Sequence, residues 1–200
     1  MISVIHEKSH MIGKLFVYQI AMSLLGLFVV SPFSGSVQIV ASVFATLFYF
    51  SLICYAIIED GQKDHISHSA GRISGNPLSG LVYALVSYLP TILIVLLQVV
   101  LNLLTDPLSL TGLKSVLAFI IRFFLMGMYL GFDTGLVQRG YDSVNQMSVV
   151  IKGSDFLVFM SDNYLIFALC LIFLPIVAGV SYHLAFKGRL HVNTAPKNKK

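Results

Sequence analysis

Arg122 is the residue whose chemistry asks most of this chain. It lies ten residues from each end of the apolar run 112–132, which on a straight helix is about 15 Å from either interface. Inserting an arginine at that depth costs roughly 2.5–3.5 kcal/mol, so a ligand, a partner charge or a set of carbonyls has to offset it. At 100° per residue, Ser115, Tyr129 and Asp133 fall within about 20° of Arg122 and make one polar stripe. Gln98 and Asn102, one helical turn apart near the end of the run 79–104, lie in the outer half of the bundle, where the long Arg122 side chain can meet them. So does Asp155, three residues after Lys152 in the weakly apolar segment 144–160. Inside a bilayer Arg122, Lys152 and Asp155 sum to a single positive charge, which suits a polar ligand carrying negative charge. The competing reading makes Gln98 and Asn102 interhelical hydrogen-bond glue and lets Arg122 snorkel or bind carbonyls.

The densest group of ionisable side chains is Glu59-Asp60-Gly61-Gln62-Lys63-Asp64-His65-Ile66-Ser67-His68. His65 and His68, with Asp64 or Glu59, have metal-ligating chemistry. A zinc site needs three or four ligands at a recognisable spacing, and none is present, so no metal and no cofactor is predicted. The stretch reads as a solvated loop after the second apolar run. Asp60-Gly61 resembles the opening of the CDP-alcohol phosphotransferase motif, but the alanine-arginine pair and the two later aspartates of that motif are absent. Leu78-Ser79-Gly80-Leu81 resembles the nucleophile segment of rhomboid intramembrane proteases, which would make Ser79 a nucleophile and His183 its base. Pro77 stands where that motif has its first glycine, and no H-x-x-x-N helix precedes it to stabilise an oxyanion. No catalytic motif therefore survives, and the non-enzymatic reading leads. Cys54 and Cys170 sit inside apolar runs, where a thiol behaves as a small hydrophobe.

The elements that must position these groups are apolar. Hydrophobic residues make up 56 % of the chain and charged ones 11 %, against about 25 % charged in ordinary globular proteins. Nucleic-acid binding is excluded, since no basic stripe interleaved with aromatics occurs. The runs 13–31, 36–58, 79–104, 112–132 and 163–186 each reach the ~20 residues that cross a bilayer. The sequence predicts an all-α, polytopic integral membrane bundle forming one domain with a basic tail at 187–200. The lipid bilayer is its first partner.

Charge decides the helix count. Five crossings place six basic residues on each side, which leaves the positive-inside rule without a preference. A sixth element over 144–160, crossing or re-entrant, brings the tail back to the cytoplasm. It then sets ten of the thirteen basic residues inside against Lys114 alone outside. The prediction is therefore five transmembrane helices plus a sixth polar element, in the plasma membrane, with both termini cytoplasmic. Gly127, Gly131 and Gly135 form two overlapping G-x-x-x-G steps opposite the polar stripe, a face that admits another helix or a second membrane chain. The leading function is transport-related binding or passage of a polar, anionic solute near Arg122, with Gln98, Asn102, Tyr129, Lys152 and Asp155 as its companions. A non-catalytic partner subunit or immunity-type protein, and a lipid-modifying enzyme using 59–68, are the alternatives.

Overall fold

The computed structural model describes residues 8–72, 76–104, 110–142 and 147–190. In order the elements are α1 (Ser9–Val30), α2 (Gly35–Ser69), α3 (Ser79–Leu104), α4 (Thr111–Ile120), α5 (Leu130–Leu136), β1 (Gln138–Asp142), β2 (Met147–Lys152), α6 (Asp155–Asp162) and α7 (Leu165–Phe186). Helices α1, α2, α3 and α7 are long and apolar enough to cross a membrane. They pack into a bundle whose surface and interior are the reverse of a water-soluble protein's. Phe28 is 77 % and Leu104 80 % exposed, while Gln19 and Thr91 are fully buried. Exposing such apolar surface to water costs about 25 cal/mol per Å², a cost that hydrocarbon removes. The largest enclosed side chains include Tyr49, Tyr83, Tyr88, Tyr129 and Tyr182, so polar groups run through the middle of the bundle.

Both termini of the helical bundle lie at one end. Lys8 bonds to Asp60 and Asp64 of α2, and His65 Nδ1 donates to the Phe186 carbonyl at 2.7 Å. At the far end, α1 turns into α2 through Ser31–Ser34, and Asn102 of α3 donates to the Asp162 carbonyl at 3.4 Å.

Three predicted elements differ from what the structure shows. The first is the loop expected after residue 58, which is helical as far as Ser69. At 1.5 Å per residue α2 is ~52 Å long, longer than a ~30 Å hydrocarbon layer, and on its last turns Glu59 and Lys63 meet water. A Glu59–Lys63 pair at 2.7 Å, four residues apart, favours continuing the helix.

The second is the fourth apolar run, which is not a straight span. α4 passes into a π-helical turn, Ile121–Leu125, then breaks at Met126 into a single 3₁₀ turn, Gly127–Tyr129, before α5. The two halves meet at 83°. α5 then climbs back toward the end from which α4 came, because Gly127 packs at the level of Ser23, Gly131 at Gln38 and Ser42, and Gly135 at Ile39 and Gly35, the start of α2. The glycine face expected to receive another membrane chain is thus occupied by this chain's own α1 and α2.

A break deep in an apolar bundle frees backbone groups that need partners. Ser23 supplies both sides of it: its Oγ donates to the Phe123 carbonyl at 3.2 Å and accepts from the Gly127 N–H at 2.7 Å. Ser42 Oγ accepts from the Gly131 N–H at 2.7 Å. Ser23→Ala should therefore lower stability by about 1–3 kcal/mol, the cost of an orphaned buried donor. A melt in detergent measures this, with Ser31→Ala in the exposed turn as the control.

The third is the segment 144–160, which is not one element. Residues 144–146 lie outside the described residues. The rest is divided between β2, paired antiparallel with β1, and the short α6, which Ser154 caps by accepting from the Leu157 N–H at 3.3 Å.

Candidate functional site

The break in the fourth run builds a cavity at the far end. It has a volume of about 310 Å³ and is lined by Ser34, Gly35 and Gln38 of the α1–α2 corner, by Arg122, and by Leu130, Asp133 and Thr134 of α5. Val137, Gln138 and Ser161 complete it. The lining is polar although the surrounding bundle is apolar, because the π turn and the 83° bend rotate α5 away from the register of α4. Thr134 donates to Gln38 Oε1 at 2.8 Å, which fixes one wall.

Arg122 is exposed into this space, and among the described residues no hydrogen bond or ion pair holds it. Its guanidinium carbon stands 5.8 Å from the Tyr164 ring centroid, within cation–π range. Tyr164 precedes α7 at φ 58°, in the left-handed region. A tyrosine held there costs roughly 1–3 kcal/mol.

The other predicted residues are dispersed. Asp133 shares the cavity with Arg122, but Ser115 does not line it. Tyr129 is turned into the core, its ring 5.6 Å from that of Phe167. Gln98 is also in the core. Asn102 serves the α3–α6 corner through Asp162. Lys152 and Asp155 are exposed, and Asp155 lines a separate, shallower hollow with Asp162 and Asn163.

Below the cavity, polar side chains descend through the bundle. Thr91 donates to Gln19 Oε1 at 3.0 Å, and the Tyr49 and Tyr88 hydroxyls are 2.8 Å apart. Gln19 Nε2, Thr46 Oγ1, Gln98 Oε1 and the Tyr129 hydroxyl are enclosed and have no hydrogen-bond partner among the described residues. Enclosed polar atoms of this kind mark where water or a solute group is needed. Sequence reasoning selected Gln98 and Tyr129. Gln19, Thr91 and the tyrosine pair escaped it, because single hydroxyls and amides in apolar runs carry little signal without a partner in view.

The opposite end of this polar interior is ionic. Lys8 Nζ lies 2.8 Å from Asp60 Oδ2 and 2.7 Å from Asp64 Oδ2, with all three side chains 13–14 % exposed. Tyr182 donates to Asp64 Oδ2 at 2.5 Å. Burial pushes the Lys8 ammonium toward neutrality, but its bonds to the two carboxylates outweigh this and raise its pKa above 10.5. A raised lysine contributes stability that is complete below the unfolded value and is lost as pH rises through the folded one. The melting temperature of the protein should therefore fall above pH 10.5 by more than that of Lys8→Met.

No set of three or more His, Cys, Asp or Glu side chains among the described residues is placed to hold a metal ion. Ser79 lies beside the Tyr182 hydroxyl, and nothing among the described residues joins it to His183. The two cysteines are free thiols. Comparison with protein-family models, with curated proteins and with solved structures returns no match for this chain.

Proposed function

We propose that the chain is a small transport-type membrane protein that admits a polar solute with one negative group to the cavity around Arg122. The observation that carries the reading is the arginine itself. It is a permanent cation, exposed in a polar cavity of an apolar bundle, with an aromatic face behind it and no carboxylate bonded to it among the described residues. Such a group is completed by an anion from solution. Asp133 in the same lining limits the net positive charge. A monoanion with additional hydrogen-bonding groups therefore suits the cavity better than a polyanion.

The broken fourth run supports the same reading. Irregular backbone at membrane depth is tolerated where it lines a cavity, and discontinuous helices build solute sites in many transporters. In this proposal α1, α2, α3 and α7 cross the membrane, and α4 with α5 enters and leaves on one side. Lys8, Lys14, Lys63, Arg72, Lys187 and Arg189 then lie at the end that carries the termini, against Lys114, Arg139 and Lys152 at the other. By the positive-inside rule the termini are cytoplasmic and the Arg122 cavity opens outward, in the plasma membrane.

The alternatives have less behind them. A partner subunit docking on Gly127, Gly131 and Gly135 would have to displace α1 and α2. A lipid-modifying enzyme using 59–68 would need a nucleophile or a metal, and Asp60 and Asp64 are engaged with Lys8. The test is a melting-temperature screen of small carboxylates, sulfonates and phosphate esters against the purified protein. At least one monoanion should raise the melting temperature of the wild type and leave Arg122→Leu unchanged. A screen in which no anion stabilises the wild type rejects the reading.

A further inference from the structure

The ionic cluster at the end carrying the termini has the make-up of a recognition site. Lys8 sits at the start of α1, and its ammonium is the only cation bonded to Asp60 and Asp64 among the described residues. The two carboxylates are one turn apart on α2, so they converge on a single point from one helix face. Aromatic hydroxyls close the point from two other helices. Tyr182 of α7 donates to Asp64, and Tyr83 of α3 is fully buried with its hydroxyl close to Asp60. The Tyr83 hydroxyl is enclosed beside Asp60 and makes no well-formed hydrogen bond among the described residues, so it is a buried polar group facing the cluster.

The packing around the point leaves little room to collapse. A Cβ on Gly80 would overlap the Tyr182 side chain, and one on Gly61 would meet Ala185 at 3.0 Å. Glycines are what let α2, α3 and α7 hold the two tyrosines there. A structural salt bridge at a helix start needs one carboxylate at the surface. Here two carboxylates of α2 hold one ammonium from the start of α1, and a phenol from each of two further helices lies against one of those carboxylates.

We propose that Asp60, Asp64, Tyr83 and Tyr182 form a primary-ammonium site, which the chain's own Lys8 occupies as a tethered stand-in for an external amine. The charge favours that ligand class. Two carboxylates against one ammonium leave a net negative site for a monovalent cation, and the ligand set is too small for a divalent metal. The carboxylates and the phenol oxygens can take N–H donors in several directions, which a primary amine supplies and a quaternary one does not. Among the described residues, Lys63 also acts on Asp60 from the same helix. Two sources carry this chemistry, a free amine and the ethanolamine headgroup of a lipid at the membrane surface. The site is independent of the Arg122 cavity, which lies at the other end of the bundle.

Chemical rescue tests the proposal. Lys8→Met keeps the apolar stem and removes the ammonium, so it should melt well below the wild type in detergent. Millimolar methylammonium should restore most of the loss, and tetramethylammonium or sodium at the same ionic strength should not. The response to methylammonium should vanish when Asp60→Asn and Asp64→Asn are added to Lys8→Met. If Lys8→Met is not recovered folded, extraction in methylammonium should yield it and extraction in tetramethylammonium should not. Nanodiscs of phosphatidylcholine with and without phosphatidylethanolamine separate the sources: a higher melting temperature only with ethanolamine lipid assigns the headgroup. Absence of rescue by methylammonium and by ethanolamine lipid, or equal rescue by all cations, overturns the proposal.

Discussion

Gly127→Leu and Gly131→Leu should each abolish most of the folded protein, whereas Leu130→Ala should leave most of it. A Cβ at Gly127 would fall on the Ser23 carbonyl oxygen, and one at Gly131 on the Gln38 carbonyl oxygen and the Ser42 hydroxyl. The two carbonyl oxygens are backbone atoms of α1 and α2 that cannot swing aside as a long side chain does. The same two glycines donate their N–H groups to Ser23 and Ser42, so any shift that relieves the clash also breaks the bonds that cap the helix break. Overpacking alone costs about 1–3 kcal/mol, and the lost hydrogen bond adds to it. Leu130 is only partly buried. Folded yield by size-exclusion chromatography after detergent extraction reads the difference. Equal yields for Gly131→Leu and Leu130→Ala would mean that α5 is not held against α2.

Arg122→Leu should separate stability from binding. Arg122 forms no hydrogen bond or ion pair among the described residues, so its removal orphans no buried carboxylate or carbonyl bonded to it there. What is lost is one cation–π contact, worth roughly 0.5–2 kcal/mol, set against relief from placing a charge near the membrane interior. The variant should melt close to the wild type in the absence of solute and should no longer be stabilised by the anion that stabilises the wild type. A melt lowered by many degrees without solute would assign Arg122 to structure instead.

Hydropathy made much of the fold legible. The runs 13–31, 79–104 and 163–186 are apolar over the length of a span, and they correspond to α1, α3 and α7. The extension of α2 was hidden because Glu59 to His68 is polar, and polarity reports water, not loss of helix. Its helical spacing was nevertheless present in Glu59/Lys63 and Asp60/Asp64. The fourth run shows the limit of the approach. No proline breaks it, and hydropathy is blind to direction, so nothing in 112–132 announces a reversal. The bend depends on Ser23 and Ser42, which lie 80 residues or more away in sequence.

The same bend explains what was misplaced around Arg122. A wheel at 100° per residue puts Tyr129 and Asp133 together with it. A π turn and a 3₁₀ turn between them change that register, which sends Tyr129 into the core and leaves Asp133 in the cavity. The basic residues carry a separate demand, that the chain cross an even number of times if the rich side is to be one side. A sixth crossing at 144–160 meets that demand on paper, but Lys152-Gly153-Ser154-Asp155 ends a strand and starts a helix. A fourth run that leaves the membrane on the side it entered meets it equally well.

That reversal is the centre of the account, since it builds the cavity, and the proposed outward opening of the cavity depends on it. It is tested by labelling with a membrane-impermeant maleimide from outside intact cells, in a background with Cys54→Ala and Cys170→Ala. Single cysteines go at Ser34 in the cavity wall, at exposed Lys152 after β2, and at Arg189 beyond α7. A returning fourth run predicts outside labelling of Ser34→Cys and Lys152→Cys, and labelling of Arg189→Cys only after the membrane is permeabilised. Outside labelling of Ser34→Cys with Lys152→Cys silent until permeabilisation would mean that the fourth run crosses, and would contradict the account.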